Sequence, residues 1–397
     1  MRLWSDGLRQ TCTGKFLAST AYCSTLHCVL YARTPTMADL SLFNPNSASN
    51  PKNNIFGLPF SEEEASLVIL PVPWEVTVSY GAGTSRAADH IFQASMQVDL
   101  FDADTNNAWR KGLYMRPPDR KVLMKSDYLR KEAELFIDYT SKGEIVENNS
   151  FMCKSMKEIN EGSANLNKWV YEQTRDLMAN GKLVALLGGD HSVPLGYLKA
   201  IAEKHGEFGV LQIDAHCDLR KSYENFVYSH ASIMYNALNE IPQIKKLVQI
   251  GVRDFSEEEW NYICNSNKRV VTFFDRDIKE RQFEGETWKE IVDGIVQQLP
   301  EKVYISFDID GLDPKLGRHT GTPVPGGFES DQVFYLIKKI LQSGRSFIGF
   351  DLDEIGVGET GWDANVGARI LWRLCNYLVA GNSQPLPEKP LECATTM

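Results

Sequence analysis

Three short segments of the sequence place carboxylates and imidazoles at spacings that suit metal binding. They are GGDHS (188–192), DAHCD (214–218) and DIDGLDP (308–314). Because side chains at alternate positions of an extended segment face the same way, we expect Asp214, His216 and Asp218 to project together. Asp308 and Asp310 have the same spacing. The double glycine in the first segment lets the chain turn sharply, so that its histidine can join the cluster.

These segments supply six candidate metal ligands: His191, Asp214, His216, Asp218, Asp308 and Asp310. Four carboxylates so close together would repel one another strongly, and bound divalent cations remove that cost. Carboxylates and imidazoles without thiolates favour Mn, Ni, Co or Mg over structural zinc. There are more carboxylates than one ion needs, so we predict two divalent ions that share bridging ligands. Two such ions generate hydroxide from water at neutral pH.

Buried strands must position these ligands, and the sequence contains seven candidates. Continuous apolar runs occupy 66–73, 182–189, 209–215, 246–252, 269–274, 302–310 and 346–354. Such runs are typical of strands buried on both faces of a parallel sheet. Amphipathic segments separate them, for example 195–206 and 330–344, and the second is predicted to begin with Ser330 as its cap. This order predicts an α/β fold, a three-layer α/β/α domain with a central, mainly parallel sheet.

The expected organisation of the chain has three parts: an N-terminal extension and linker (1–58), one domain (59–380, with a partly helical insertion at about 102–165) and a flexible tail (381–397). Residues 1–36 are basic, poor in acids and rich in Ser and Thr, which is the composition of an organelle transit peptide. An unstructured extension before Met37 would have the same composition. The expected location is a mitochondrion or plastid in the first case and the cytoplasm in the second.

Charge, hydropathy and cysteine spacing argue against nucleic-acid binding, a membrane span and a disulfide framework. The chain has 42 basic and 52 acidic residues, a net charge of −10, whereas binding to nucleic acid needs clustered Lys and Arg. It contains no run of 18 apolar residues, so we predict no membrane span. Its eight cysteines form no Cys-x-x-Cys pair, which argues against a disulfide framework.

The three segments resemble the signatures of the ureohydrolase family, which includes arginases, agmatinases and guanidine hydrolases. GGDHS, DAHCD and SFDIDGLDP (306–314) match in order and spacing, and the resemblance covers roughly residues 60–380. It implies an arginase-like fold with a binuclear centre, usually of manganese. By this resemblance, one ion is held by His191, Asp214, Asp218 and Asp308. The other is held by His216, Asp214, Asp308 and Asp310, so that Asp214 and Asp308 bridge.

The resemblance also implies two residues that act on the substrate. His230, in YSHAS, falls where the family has its proton-shuttling histidine, and Glu354 falls where a glutamate grips the guanidinium group. Local structural roles are the alternatives: a helix-start hydrogen bond for His230, and for Glu354 an ion pair with a basic residue such as Arg369. We also expect Asp218 to orient the attacking hydroxide. Trp74 could cover a small cation through a cation–π contact, or could simply pack in the core.

The identity of the substrate is less well defined by the sequence. Arginases have an Asn-, Thr- and Ser-rich loop after DAHxD, and the DLRKSYEN segment here (218–225) argues against arginine. Three segments look most like the guanidine hydrolase branch, which uses nickel: VPWEVTVSYGAGTS (72–85), YSHASIMYNAL (228–238) and NVGARILWRLCN (365–376). The expected reaction converts guanidine to urea and ammonia, with Mn²⁺ or Ni²⁺ as the cofactor.

Other functions remain open at this point. Within the family, the alternatives are an agmatinase, which converts agmatine to putrescine and urea, or another guanidino-acid ureohydrolase. From other classes, they are a single-zinc deacetylase of related fold and a non-catalytic metal-binding relative. The resemblance also implies a homo-oligomer, a trimer or hexamer.

Overall fold

Eight strands form one sheet at the centre of residues 40–383, the part of the chain that this computed structural model describes. The strands are β1 (Leu67–Pro71), β2 (Leu113–Met115), β3 (Leu183–Leu187), β4 (Phe208–Ile213), β5 (Ile244–Ile250), β6 (Val270–Phe273), β7 (Lys302–Asp308) and β8 (Ser346–Asp353). Their order is β2-β1-β3-β8-β7-β4-β5-β6, and every neighbouring pair is parallel. The predicted parallel α/β sheet is therefore confirmed.

All seven predicted strands are present, and β2 is an eighth that we did not predict. It lies inside the 102–165 region and pairs with β1 at one edge of the sheet. It has only three residues, of which the central one is partly exposed. So short a strand leaves no periodicity in the sequence.

Ten α-helices surround the sheet in the described part of the chain. They are α1 (Ala87–Ser95), α2 (Arg120–Ser141), α3 (Ser150–Ala179), α4 (Leu195–His205), α5 (Ile233–Glu240), α6 (Glu257–Asn265), α7 (Asp275–Phe283), α8 (Trp288–Gln298), α9 (Ser330–Gln342) and α10 (Trp362–Gly381). The cap of α9 is Glu329 rather than the predicted Ser330. The backbone N–H of Glu329 donates to Gln332 Oε1, which satisfies a donor at the start of the helix.

Two separate hydrophobic clusters show that the helices cover both faces of the sheet. Leu67 and Ile69 of β1 pack in one cluster, with α1, α8, α9 and α10. Val68 and Leu70 of the same strand pack in the other, with α2, α3, α4 and α5. Successive side chains of a strand point to opposite faces, and here both faces are covered. This arrangement is the three-layer α/β/α architecture.

Several expectations concern segments that are only partly described. The predicted transit peptide (1–36) and the last part of the predicted tail (384–397) lie outside the described residues. The 102–165 region contains β2, α2 and the first half of α3, and its helices pack on the second cluster through Leu129 and Phe136. Among the described helices, none is both long and apolar enough to cross a membrane.

The order of the strands explains why the three sequence segments meet. The strands β3, β8, β7 and β4 are consecutive neighbours in the sheet. In a parallel sheet their carboxyl ends lie along one edge, where ligands bind in folds of this type. GGDHS follows β3, DAHCD follows β4 and DIDGLDP spans the end of β7. The centre of the sheet therefore brings together groups that are more than 100 residues apart in the chain.

Candidate metal centre

Three of the predicted carboxylate ligands lie around the imidazole nitrogen of a fourth predicted ligand, His191. His191 Nδ1 is 3.0 Å from Asp214 Oδ2, 3.0 Å from Asp218 Oδ2 and 3.4 Å from Asp308 Oδ2. All four side chains are at least 94% buried. The structure thus brings together the set that the family resemblance gives to one ion.

The other two predicted ligands form a second group beside the first. His216 Nδ1 is 3.0 Å from Asp310 Oδ2 and 3.5 Å from Asp214 Oδ1. Asp214 therefore presents one oxygen to His191 and its other oxygen to His216. A carboxylate placed in this way can bridge two cations.

Buried ligand atoms that lack a hydrogen-bond partner indicate whether these residues suit metal ions. His191 Nδ1 and Asp310 Oδ2 are buried and have no hydrogen-bond partner, although carboxylate or imidazole atoms lie 3.0 Å from each. The short contacts therefore lack hydrogen-bond geometry. The ligand atoms of His191, Asp214 and Asp218 all lie within 4.8 Å of one another, as do those of Asp214, His216 and Asp310. Such convergence fits a pair of divalent cations, which would satisfy the unpartnered atoms.

Without bound cations, burial and mutual charge interactions shift the pKa values of the clustered side chains. Burial, with repulsion from Asp214, raises the pKa of Asp218 to about 7. Burial also raises the pKa of Asp308, with repulsion from Asp310 and Asp214. Burial opposes the charged form of His191, but the adjacent carboxylates of Asp214, Asp218 and Asp308 outweigh burial and raise the pKa of its imidazole. Protons thus compete with cations for these ligands, and metal affinity must fall as the pH falls.

Two buried amides hold Asp214 in place, and the sequence analysis did not identify them. Gln212 Nε2 donates to Asp214 Oδ2 at 2.8 Å, and Gln249 Nε2 donates to Gln212 Oε1 at 2.6 Å. Thr272 Oγ1 then donates to Gln249 Oε1 at 2.7 Å. The three residues lie on the adjacent strands β4, β5 and β6. A glutamine inside an apolar strand, as in VLQI and LVQI, is the signal that would have revealed this chain of hydrogen bonds.

The opposite nitrogen of His191 is also held by residues that the sequence analysis left unassigned. His191 Nε2 lies 2.9 Å from Ser306 Oγ, which donates to Asp351 Oδ1 at 2.7 Å. Since the hydroxyl proton goes to Asp351, the serine oxygen accepts from an N–H at Nε2. The lone pair of His191 is then left on Nδ1, which faces the other ligands. Hydrogen bonds of this kind fix the orientation of metal-binding histidines.

The double glycine before His191 is needed for a different reason from the predicted one. Neither Gly188 nor Gly189 has positive φ. A Cβ on Gly189 would lie 1.8 Å from the carbonyl oxygen of Trp74, and one on Gly188 would lie 1.6 Å from Asp353 Oδ1. The absence of a side chain therefore allows close packing behind His191.

Two site residues adopt positive φ without being glycine. Asp218 has a φ of 54° and Glu354 has a φ of 62°. Such conformations are uncommon outside glycine and cluster at functional sites. In Glu354 this geometry lets the backbone N–H donate to Gly189 O while Oε1 accepts from the N–H of His191, at 2.8 and 2.9 Å.

Glu354 lies beside His191, one of the predicted metal ligands, and accepts from its backbone N–H. Its Oε2 is buried without a hydrogen-bond partner. Burial, with repulsion from Asp190, raises the pKa of its carboxyl group. Gly321 packs so close that an added Cβ would lie 2.9 Å from Oε2. Among the described residues, the alternative role of Glu354, an ion pair with a basic residue such as Arg369, is not formed with Arg369, which contacts Asn365 and Gln97 instead.

His230 lines a cavity of about 480 Å³ that opens over the cluster. His216 and Asp218 line the same cavity. His230 Nδ1 lies 3.4 Å from the hydroxyl of Thr77, which also accepts from the backbone N–H of His230 at 3.1 Å. Burial, with repulsion from His216 and His191, lowers the pKa of His230 to about 3. The ring is therefore neutral at pH 7.

Trp74 does not line this cavity, although we considered it as a cover for the substrate. Its side chain is 2% exposed and packs in the hydrophobic cluster that contains Leu129. Its carbonyl accepts from the N–H of Asp190 at 2.8 Å. The structure thus favours the alternative role, in which Trp74 packs behind the double glycine.

A parallel sheet covered by helices on both faces, with carboxylates and imidazoles gathered at the carboxyl ends of its strands, is typical of metal-dependent hydrolases. Comparisons with known proteins identify the family within this class. The family model described as Arginase family matches residues 65–375. An N(1)-aminopropylagmatine ureohydrolase of Thermus thermophilus is 31% identical over 295 residues, which cover 74% of this chain and 83% of that relative. A guanidinobutyrase of Pseudomonas aeruginosa is 32% identical over 216 residues, covering 52% and 64%.

Solved structures agree at the level of the fold. The agmatine ureohydrolase of Thermoplasma volcanium superimposes with a TM-score of 0.59 and 22% sequence identity, covering 81% of this chain and 91% of the other. The chain belongs to the arginase family. The resemblance stated from the three sequence segments is confirmed.

Proposed function

We propose that this protein is a ureohydrolase with two divalent metal ions that cleaves a C–N bond of a small guanidinium compound and releases urea. The observation that carries the proposal is the convergence of four carboxylates and two imidazoles beneath a cavity. Some of their buried nitrogen and oxygen atoms have no hydrogen-bond partner, as expected of metal ligands. Divalent cations in such a site lower the pKa of water and so supply a nucleophile at neutral pH. Mn²⁺ and Ni²⁺ both suit these ligands.

Glu354 would bind the guanidinium group. The four carboxylate ligands balance two divalent ions, so the Glu354 carboxylate gives the site its net negative charge and attracts a cation. Its unpartnered Oε2 can accept a hydrogen bond from a guanidinium N–H. A cation bound beside it lowers its raised pKa, because an opposite charge favours the ionised form.

Asp218 would orient the nucleophile, and His230 would transfer a proton to the leaving group. Asp218 would accept a hydrogen bond from the attacking nucleophile and orient it. His230 begins neutral, since its pKa lies at about 3. It would therefore take up a proton released in the reaction and deliver it to the departing amine, whose loss as a neutral molecule requires that proton.

The substrate that we favour is guanidine, which would yield urea and ammonia. Segments 72–85, 228–238 and 365–376, which look most like the guanidine hydrolase branch, support this choice. An agmatinase is the alternative, because relatives named for agmatine derivatives match most of the chain. A guanidino-acid ureohydrolase is another, and a relative named guanidinobutyrase supports it. We also propose a homo-oligomer, a trimer or hexamer, by resemblance to the family.

A panel of guanidino compounds tests the proposed substrate. Urea release is measured with guanidine, agmatine, 4-guanidinobutyrate and arginine, for protein loaded with Mn²⁺ and separately with Ni²⁺. The proposal expects the highest kcat/KM with guanidine. A clearly higher kcat/KM with agmatine would reject the guanidine assignment but keep the ureohydrolase. Binding of guanidinium compounds without any urea release would indicate the non-catalytic relative.

A further inference from the structure

A helix of the 102–165 region contacts the segment that holds His230, although no residue of that region lines the cavity. This helix is α2, and it contacts the segment at more than one point. Ser126 Oγ accepts from the backbone N–H of Glu75 at 3.0 Å. Arg130, one turn further along the helix, donates to the residues that follow Glu75. The contacts show that α2 supports the backbone of this segment from outside the cavity.

The hydrogen bonds of Arg130 are centred on one residue of the segment. The side chain of Arg130 is 12% exposed, and its Nε donates to Glu134 Oε1 on the same helix at 3.1 Å. Its Nη1 donates to the carbonyl oxygens of Val76 and Val78. These two carbonyls flank Thr77, so the guanidinium group fixes the backbone on either side of that residue. The planar fork of donors in arginine suits several acceptors at once.

Thr77 is fully buried and connects this segment to His230. Its N–H and its hydroxyl donate to Asp190 Oδ2 at 3.2 and 3.3 Å. The hydroxyl oxygen accepts from the backbone N–H of His230 at 3.1 Å and lies 3.4 Å from Nδ1 of its ring. Ser229 Oγ lies equally close to Nδ1, but Ser229 is adjacent in the chain and moves with His230. Thr77, which is 153 positions away, therefore fixes His230 relative to the rest of the site.

We propose that Arg130 is a positioning residue for His230 and that it acts through Thr77. This inference rests on the proposed function, in which His230 transfers a proton. Loss of the guanidinium group removes two hydrogen bonds from the backbone around Thr77, and the hydroxyl that holds His230 can then shift. A displacement of about 1 Å can lower the rate of a reaction step by about 100-fold. The 102–165 region thus orients the proton-transferring group without contacting the substrate.

The test measures kcat and KM for urea release by metal-loaded, full-length protein with the best guanidino substrate of the panel. In Arg130→Met and in Arg130→Gln, kcat should fall about tenfold. Arg130→Lys, which keeps the charge and N–H donors but not the fork, should retain more of kcat than either. Lys131→Met, at the exposed neighbouring position of α2, should retain the wild-type kcat. KM should change less than kcat, since neither Arg130 nor Thr77 lines the cavity.

A double-mutant cycle tests whether Arg130 acts through Thr77. Thr77→Val removes the hydroxyl at nearly constant volume and should lower kcat about tenfold, whereas Thr77→Ser keeps the hydroxyl and should restore kcat. In the double variant Arg130→Met/Thr77→Val, kcat should fall no further than in the less active single variant, because both changes break the same path. Thermal unfolding and metal content confirm that the proteins compared are folded and loaded.

Three results would overturn the inference alone, in a wild type that releases urea. They are an unchanged kcat in the Arg130 variants, an equal loss in Lys131→Met, and losses that multiply in the double variant. An unchanged kcat in Thr77→Val would also overturn it, and this variant leaves Arg130 in place. A wild type that releases no urea from any guanidino compound would refute the proposed function and the inference with it, before any variant is compared.

Discussion

At the scale of single residues, Asp308 tests the proposed bridging role. Its Oδ2 lies 3.4 Å from His191 Nδ1, and its Oδ1 accepts from the N–H of Asp310 at 2.8 Å. We expect Asp308→Asn to keep the backbone hydrogen bond but lose a metal ligand. The metal content should fall below two ions per chain and urea release should fall by about 100-fold or more. Elemental analysis and a urea assay measure both effects.

Asp313→Asn is the matched control for this prediction. It removes a carboxylate from the same segment, where Asp313 accepts from the N–H of Lys315 and takes no part in the cluster. Its metal content and activity should equal those of the wild type. Full metal content and full activity in Asp308→Asn would contradict the bridging role.

The candidate ligands could be predicted from the sequence because the spacing of Asp214, His216 and Asp218 is local. Of the residues that orient them, Gln212 leaves a signal as a glutamine within an apolar strand, but Ser306 leaves none. Ser306 acts on His191 from another strand, and nothing in the sequence around either residue encodes that pairing. The packing role of Trp74 likewise depends on the approach of Gly189, which only the folded chain brings about.

At the scale of elements, the turn between β3 and α4 depends on Gly189. We expect Gly189→Ala to destabilise the protein by about 3 kcal/mol or more, because the added methyl group overlaps the carbonyl of Trp74. Gly294→Ala is the control: in α8 an added Cβ meets no atom within 4 Å, and the helix should gain up to about 1 kcal/mol. Urea-induced unfolding measures both free energies. Equal changes in the two variants would refute the packing argument.

The elements themselves were largely predictable, and the exceptions have physical causes. Seven strands lie in continuously apolar runs, which made them visible in the sequence, although the edge strand β6 is short and only partly buried. The eighth, β2, is held by pairing with β1 rather than by its own pattern. The cap of α9 shifts by one residue because Gln332 reaches the N–H of Glu329.

At the scale of the whole molecule, we expect the stability of the fold to depend on pH through His205, which lies outside the metal cluster. Burial, with repulsion from Lys204 and Lys302, lowers the pKa of this histidine to about 4. In the unfolded chain this histidine takes up a proton near pH 6.5, whereas in the folded protein it does so only near pH 4. The free energy of unfolding therefore falls as the pH falls from about 6.5 towards 4.

The expected effect appears between pH 7.5 and pH 5. Over this interval the free energy of unfolding of the wild type should fall by about 1 kcal/mol more than that of His205→Gln, after allowance for partial exposure. Chemical denaturation at both pH values measures the difference. His90→Gln, at an exposed position of α1, should behave as the wild type does. A wild-type loss no greater than that of His205→Gln would show that His205 is not held neutral.

The central claim is that one chain holds two divalent cations among six side chains and uses them to release urea from a guanidinium compound. The most direct test is elemental analysis of purified protein, loaded with Mn²⁺ or Ni²⁺ and dialysed, together with a urea-release assay on the same sample. The account predicts two ions per chain and urea release that is lost when a chelator removes them. One ion or none per chain in active protein would contradict it.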